Sequence, residues 1–129
     1  MSAPDRLRIL IVEDEFLIAI DLADLVADFG HEVCAIASTA DEALAAAIRF
    51  LPDVVLTDIQ LAQGSSGLDA AKRIRVALGI PSFFISGSID RALMEKAQES
   101  APLGFFSKPF EPRALQSALA HAAACCAAH

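Results

Sequence analysis

One pattern constrains this chain more than any other. A short apolar run followed by an amphipathic segment recurs five times along its length. Residues 7–12 are apolar apart from Arg8, which predicts a strand buried on both faces. Residues 15–29 follow, with Ile18, Leu22, Leu25, Val26 and Phe29 apolar and Asp21, Asp24 and Asp28 polar; that period is helical, and Gly30 stops it. Residues 32–37 predict a second strand. Ser38 and Thr39 are candidate caps for a helix over 41–50, which Pro52 ends. The remaining units are a strand over 53–57, a loop over 59–66, a helix over 68–78, a strand over 81–85, a helix over 90–99, a strand over 103–106 and a helix from Glu111 onward. The Ala-rich end of that last helix favours helix intrinsically and frays.

Strands that alternate with helices build a parallel sheet covered on both faces. The expected fold is therefore α/β: a five-stranded parallel sheet in the order 2-1-3-4-5, doubly wound and flavodoxin-like, with right-handed crossovers. At 129 residues the chain holds one core. No linker is visible, so a single domain over 1–129 without an output domain is expected.

Composition narrows the function classes. Ten basic residues stand against seventeen acidic ones, a net charge of −7, and the basic ones are scattered. A nucleic-acid binder needs a basic stripe, and an anionic membrane surface wants the same. Neither nucleic acid nor membrane is an expected partner. No apolar run is long enough to span a bilayer, and the start, Met1-Ser2-Ala3-Pro4-Asp5-Arg6, does not read as a signal peptide, so none is expected. Cys34, Cys125 and Cys126 are odd in number and unevenly spaced, which argues for a reducing, cytoplasmic setting.

The informative feature is what leaves the strand ends. In a parallel sheet, chemistry collects beyond the C-terminal ends of the strands, where strand order reverses. The first strand is followed by Glu13, Asp14 and Glu15, the third by Asp58, the fourth by Ser86-Gly87 and the fifth by Lys108-Pro109. In the order 2-1-3-4-5 the first and third strands are neighbours, so Asp14 and Asp58 face each other across roughly 5 Å. Ser86 and Lys108 close the far side. Crowded carboxylates repel, and a hard divalent cation with oxygen ligands, Mg²⁺ above all, resolves the repulsion. Asp58, with a strand to itself, can act as a nucleophile toward phosphorus and form an aspartyl phosphate. The Lys108 ammonium would neutralise charge, and the Ser86 hydroxyl would donate to a phosphoryl oxygen. Alone, Asp58 reads as a cap, Ser86 as a turn residue and Lys108 as a solvated charge; their common placement argues otherwise.

Four segments carry a resemblance. Ile9-Leu10-Ile11-Val12-Glu13-Asp14-Glu15, Leu56-Thr57-Asp58-Ile59, Phe84-Ile85-Ser86-Gly87 and Gly104-Phe105-Phe106-Ser107-Lys108-Pro109-Phe110 stand in order, each ending a strand. Together they resemble the receiver domain of two-component response regulators, in particular stand-alone chemotaxis-type members. The resemblance implies that Asp58 is the phosphoacceptor, taking its phosphoryl group from a sensor histidine kinase or a phosphotransfer protein. It implies Glu13 and Asp14 as the acidic pair, with Mg²⁺ on Asp14 directly, on Glu13 through water, on Asp58, and on the main-chain carbonyl of Gln60. Ser86 and Phe105 match the family's switch pair and Lys108 its lysine; the Lys108-Pro109 bond is cis in the family. The segment 84–87 shares Phe and Gly with a Phe-Ala-Thr-Gly motif of one subgroup of stand-alone receivers. Two departures are the Glu-Asp form of the acidic pair and a loop after Asp58 one residue longer than the chemotaxis-type pattern, taking Gly67 as its usual glycine.

The signalling expectation follows. Phosphate on Asp58 draws the Ser86 hydroxyl toward it, Phe105 rotates inward, and the face made by the fourth helix, fifth strand and fifth helix changes shape. Output is by contact with another protein or by passing the phosphoryl group on; enzymatic activity is confined to self-phosphotransfer and autodephosphorylation at Asp58. Ala114, Leu115, Ala118, Leu119, Ala122 and Ala123 line the last helix, and any part not packed on the sheet could pair two copies as a homodimer. His121, Cys125 and His129 share a helical face beside Cys126, a spacing able to hold a soft metal, though they read as incidental residues of a fraying end. Cys34 reads as a small buried hydrophobe. A flavodoxin-type cofactor site would be repelled by Glu13-Asp14-Glu15, and an aspartate-nucleophile phosphatase wants a second Asp where Gln60 stands. The alternative that remains is a degenerate receiver acting as a phosphate-independent interaction module.

Overall fold

The computed structural model describes residues 6–61, 64–87 and 90–127, with backbone alone at 126 and 127. The elements run β1 (Arg8–Val12), α1 (Phe16–Asp28), β2 (Glu32–Ala37), α2 (Ala40–Phe50), β3 (Val54–Asp58), α3 (Gly67–Leu78), β4 (Ser82–Ser86), α4 (Arg91–Ala97), β5 (Gly104–Ser107) and α5 (Pro112–Ala127). All five strands pair in parallel, in the order β2-β1-β3-β4-β5. The sheet is the one that the alternation of runs predicts.

Local chemistry sets the helix ends. Thr39 accepts from the Glu42 main-chain N–H at 3.2 Å, and Glu42 in turn accepts from the N–H of Ser38, so two orphan donors are satisfied at the start of α2. Ser66 caps α3, accepting from the N–H groups of Leu68 and Asp69. Asp90 caps α4 through Leu93 N–H at 2.8 Å. Gly79 closes α3 with φ of 73°, a left-handed conformation that costs glycine nothing. The fourth helix is shorter than the sequence predicts. It ends at Ala97 and tightens into a 3-10 turn over Gln98–Ser100, with Ala101 left-handed after it.

Alternating side chains of the central strands serve two cores. Ile9, Ile11, Val54, Leu56, Phe83 and Ile85 face α1 and α5, where Leu22, Val26, Leu115 and Leu119 meet them. Leu10, Val12 and Val55 face α2 and α3, meeting Ala43, Ala47, Ala70 and Ile74. A third cluster, with Ile59, Ala71, Phe84 and Ala97 at its heart, continues the second face under α4. Burial on both faces is why β1 and β3 read as continuous apolar runs. β2 is different because it lies at the sheet edge. Ile36 is 42% exposed, and Cys34 is half-buried and not the fully buried hydrophobe expected. Its thiol donates to the carbonyl of Ile9 at 3.4 Å.

The apolar stripe of α5 is largely consumed by the sheet. Leu115, Leu119, Ala122 and Ala123 are buried, Ala118 is half-buried, and Ala114 is left exposed. Among the described residues no helix is long and apolar enough to cross a membrane.

Candidate functional site

Strand register brings the acids together. Val12 of β1 pairs with Thr57 of β3, so Glu13 and Asp58 leave adjacent strands side by side. One carboxylate oxygen from each of Glu13, Asp14 and Asp58 lies within 4.8 Å of the other two. Glu13 is buried, Asp58 half-buried and Asp14 exposed. Asp58 belongs to β3 itself, and Ser86 to β4; both strands run one residue past their expected ends at 57 and 85, because a polar residue in sequence looks like a terminus. The hydrogen-bonded ladder is a backbone matter and does not stop for polarity.

Asp58 is held at both oxygens. Oδ1 accepts from the N–H of Ile59 at 2.7 Å and that of Gln60 at 3.4 Å. Oδ2 accepts from Lys108 Nζ at 2.9 Å. Lys108 starts beyond β5, where its own N–H donates to the carbonyl of Ser86 at 2.9 Å. From there its chain reaches over the end of β4 to β3, and Nζ also stands 3.3 Å from Glu13 Oε2. One ammonium thus serves two acids.

Electrostatics follow from this crowding. Burial, with the negative charge of Asp58 added, pushes the Glu13 carboxyl above its ordinary value, against the pull of the Glu15 N–H and the Lys108 charge. Partial burial pulls on the Lys108 ammonium in the opposite sense, but the hydrogen bond to Asp58 and the charges of Asp58 and Glu13 outweigh it and hold Lys108 above its usual range. Three acids with one partner form an oxygen-only donor set with negative charge in excess. That chemistry fits a hard divalent cation.

The loop after β3 folds back onto the strand it leaves. Gln60 and Ser66 face each other in an isolated antiparallel bridge, whose bonds run from Leu61 N–H to Ser65 carbonyl and from Gly67 N–H to Ile59 carbonyl. The carbonyl of Gln60 takes no part in those bonds. Gly67 opens α3 against the back of Asp58; a Cβ there would collide with the Asp58 main-chain carbonyl and lie 2.8 Å from Thr57 Oγ1. Ser65 ties the loop to α2 by accepting from Ala40 N–H at 2.8 Å. Ser65 has no role among the sequence expectations, and Gly67 only that of marking loop length. The run Gly64-Ser65-Ser66-Gly67 was the available signal.

The switch candidates sit differently. Ser86 is buried at the end of β4, one residue past Ile85, the register partner of Asp58. Phe105 is not among the carboxylates. It stacks on Phe84, ring centroids 5.7 Å apart, in the cluster under α4. Phe106 points to the other face, against Phe83 and Phe110. Both aromatics are half-buried. Glu13, Asp58 and Lys108 line a cleft of about 300 Å³ whose apolar wall includes Leu22, Leu25 and Phe110. Phe16 and Leu17, at the start of α1, are 72% and 76% exposed. At the far end of α5, His121 and Cys125 are neighbours; His129 and the Cys126 side chain lie outside the described residues.

Comparison with known proteins places this geometry. Residues 9–120 match the response regulator receiver domain. The phyllosphere-induced regulator PhyR of Methylorubrum extorquens is 40% identical over 123 residues, 95% of this chain and 45% of that protein. The transcriptional regulatory protein PdtaR of Mycobacterium tuberculosis is 33% identical over 103 residues, 80% of this chain and 50% of that protein. The chain thus spans about half the length of these curated relatives. Among solved structures, the signal receiver domain of a modulated diguanylate cyclase from Desulfovibrio desulfuricans superposes with a TM-score of 0.85 at 28% identity, covering 93% of this chain and 95% of that one. The response regulator PhyR from Brucella abortus gives 0.79 at 41% identity, covering 92% and 49%. The chain belongs to the response regulator receiver domain family.

Proposed function

We propose that this chain is a phosphorylation-dependent signalling switch. Asp58 accepts a phosphoryl group from a phosphohistidine on a sensor kinase or phosphotransfer protein, and the modified chain signals through protein contact or onward transfer. The observation that carries this reading is the way Asp58 is held: two peptide N–H groups fix Oδ1, and the Lys108 ammonium stands 2.9 Å from Oδ2. A carboxylate held at both oxygens presents its remaining lone pairs in a defined direction, which is what in-line attack on phosphorus needs. In the transfer, an Asp58 oxygen forms the new O–P bond, the N–P bond of the donor breaks, and the imidazole leaves with the electron pair and takes a proton. Lys108 stays protonated and follows the developing charge from the carboxylate to the phosphoryl oxygens.

Glu13, Asp14 and Asp58, with the main-chain carbonyl of Gln60, would hold a Mg²⁺ ion. When bound, it supplies charge neutralisation for phosphoryl oxygens. Glu13 contributes a buried acid already short of counter-charge, and Asp14 an exposed one at the mouth of the cleft.

Phe16, Leu17 and Ile20 are exposed apolar residues of α1, the helix whose Ile18, Leu22 and Leu25 line the cleft, and they offer a helical phosphodonor a surface to rest on while its phosphohistidine reaches Asp58. Ser86 and Phe105 form the switch: Ser86 follows the phosphate, and Phe105 moves relative to Phe84 and α4. The PhyR of Bartonella quintana is described as an anti-anti-sigma factor; an output read by a protein partner is the kind proposed here.

Beryllofluoride with Mg²⁺ tests the switch without a kinase. Amide resonances at Asp58, Ser86 and Phe105 are expected to shift together on adduct formation. An intact spectrum with no shift at Asp58 would favour a phosphate-independent interaction module.

A further inference from the structure

The end of the sheet remote from Asp58 holds a second pair of metal-capable side chains. His121 and Cys125 stand one turn apart on α5, both exposed, with Nε2 and Sγ 3.8 Å from each other. Zinc binds thiolate sulfur at about 2.3 Å and imidazole nitrogen at about 2.0 Å, so a tetrahedral centre sets such atoms roughly 3.6 Å apart. The pair is already at that separation. Its place in the closing turns of a helix adds to this, because the partial negative charge of the C-terminus attracts a cation and the last turn carries no basic residue to take the role. Beside the pair lies a cavity of about 310 Å³ with apolar walls from Pro81, Phe83, Leu103 and Ala118. Leu103 is 48% exposed at its rim.

We propose that His121 and Cys125 are half of a zinc-type site, and that a second copy of this chain supplies the other half as the same two residues. Two ligands occupy two of four tetrahedral positions, and a two-fold axis through the metal completes a Cys₂His₂ set. Each chain's apolar cavity is lined in part by its own His121 and Cys125, so a metal-bridged pair has apolar surface beside the metal to bury. A net charge of −7 on each chain opposes pairing of the free protein, which makes the assembly depend on the cation. On binding, each Cys125 releases its S–H proton to solvent and each His121 binds as neutral imidazole; nothing is oxidised or reduced. None of these residues belongs to the Asp58 cleft.

The full chain is titrated with Co²⁺, followed by absorbance, and with Zn²⁺, followed by sedimentation velocity. Thiolate-to-cobalt absorption is expected at one metal per two chains, with Zn²⁺ converting monomer to dimer and EDTA reversing it. His121→Ala and Cys125→Ser should each lower the affinity about a hundredfold and leave the chain monomeric, while Cys126→Ser and Asp14→Asn keep both signals. Both replaced side chains are exposed, and a circular dichroism spectrum checks that the variants fold. Metal bound only at the acidic cluster gives no thiolate band. Absence of the band, its survival in Cys125→Ser, or a metal-bound chain that stays monomeric would each overturn the proposal.

Discussion

Lys108 Nζ lies 2.9 Å from Asp58 Oδ2 across the end of β4, the strand that separates their own. The same nitrogen is 3.3 Å from Glu13 Oε2. Two of the three clustered acids therefore lean on one ammonium. Lys108→Ala should slow phosphorylation by a small acyl phosphate about a hundredfold, the low end for loss of a charge-stabilising group. It should also leave the acids more dependent on a cation. Saturating Mg²⁺, at about a hundred times its Kd, stabilises a single-site binder by about 2.7 kcal/mol. The expected result is a Tm increase with Mg²⁺ that is larger in Lys108→Ala and absent in Asp14→Asn, followed by scanning calorimetry.

Gly67 is required by proximity. Its missing Cβ is the space in which the Asp58 carbonyl sits. Gly67→Ala should destabilise the chain by about 2–3 kcal/mol, the upper part of the overpacking range, and displace Asp58 as it does so. Gly87, with nothing within 4 Å of its virtual Cβ, is the control; Gly87→Ala should stay within about 0.5 kcal/mol in urea unfolding.

His31 joins the α1–β2 turn to the start of the sheet. It is buried, and its Nδ1 accepts from the Leu7 main-chain N–H at 3.0 Å. His31→Ala leaves that donor without its acceptor, at a cost of about 1–3 kcal/mol. Denaturant unfolding measures the loss, and hydrogen exchange at Leu7 should accelerate more than exchange at Leu56.

The thiols should separate by reactivity. Burial is the main force raising the Cys34 thiol above its ordinary value, with the charge of Arg8 opposing it. The reactive thiolate of Cys34 therefore appears only at higher pH, whereas Cys125 is exposed. Alkylation near pH 8 followed by peptide mapping should label Cys125 well before Cys34. The sign for stability follows from the same shift. The unfolded chain gives up its Cys34 proton first, so rising pH through the ordinary thiol value and up to the raised one favours unfolding.

How much of this was readable without coordinates depends on what each residue's neighbours demand. β1 and β3 were legible because both of their faces are covered, so the run itself is the signal. β2 was legible as a strand, and the expected order 2-1-3-4-5 put it at the edge; the exposure of Ile36 and the half-burial of Cys34 follow from that order and not from any local pattern. The positions of Asp14, Asp58 and Lys108 could be inferred because strand ends in a parallel sheet share one edge. The contact of Lys108 with Glu13 could not, since it depends on how far a lysine chain extends over β4. Nor could the close approach of Gly67 to Asp58, which depends on how the loop between them folds back, or the tie from Ser65 to Ala40, a contact between residues far apart in sequence.

The central claim is that Asp58 is a Mg²⁺-dependent phosphoacceptor. The most direct measurement incubates the chain with an acyl phosphate and Mg²⁺, traps the acyl phosphate by borohydride reduction and maps the modified peptide by mass spectrometry. The account predicts modification at Asp58 alone, lost with EDTA and lost in Asp58→Asn. A folded chain that stays unmodified, or one modified equally well after Asp58→Asn, would contradict it.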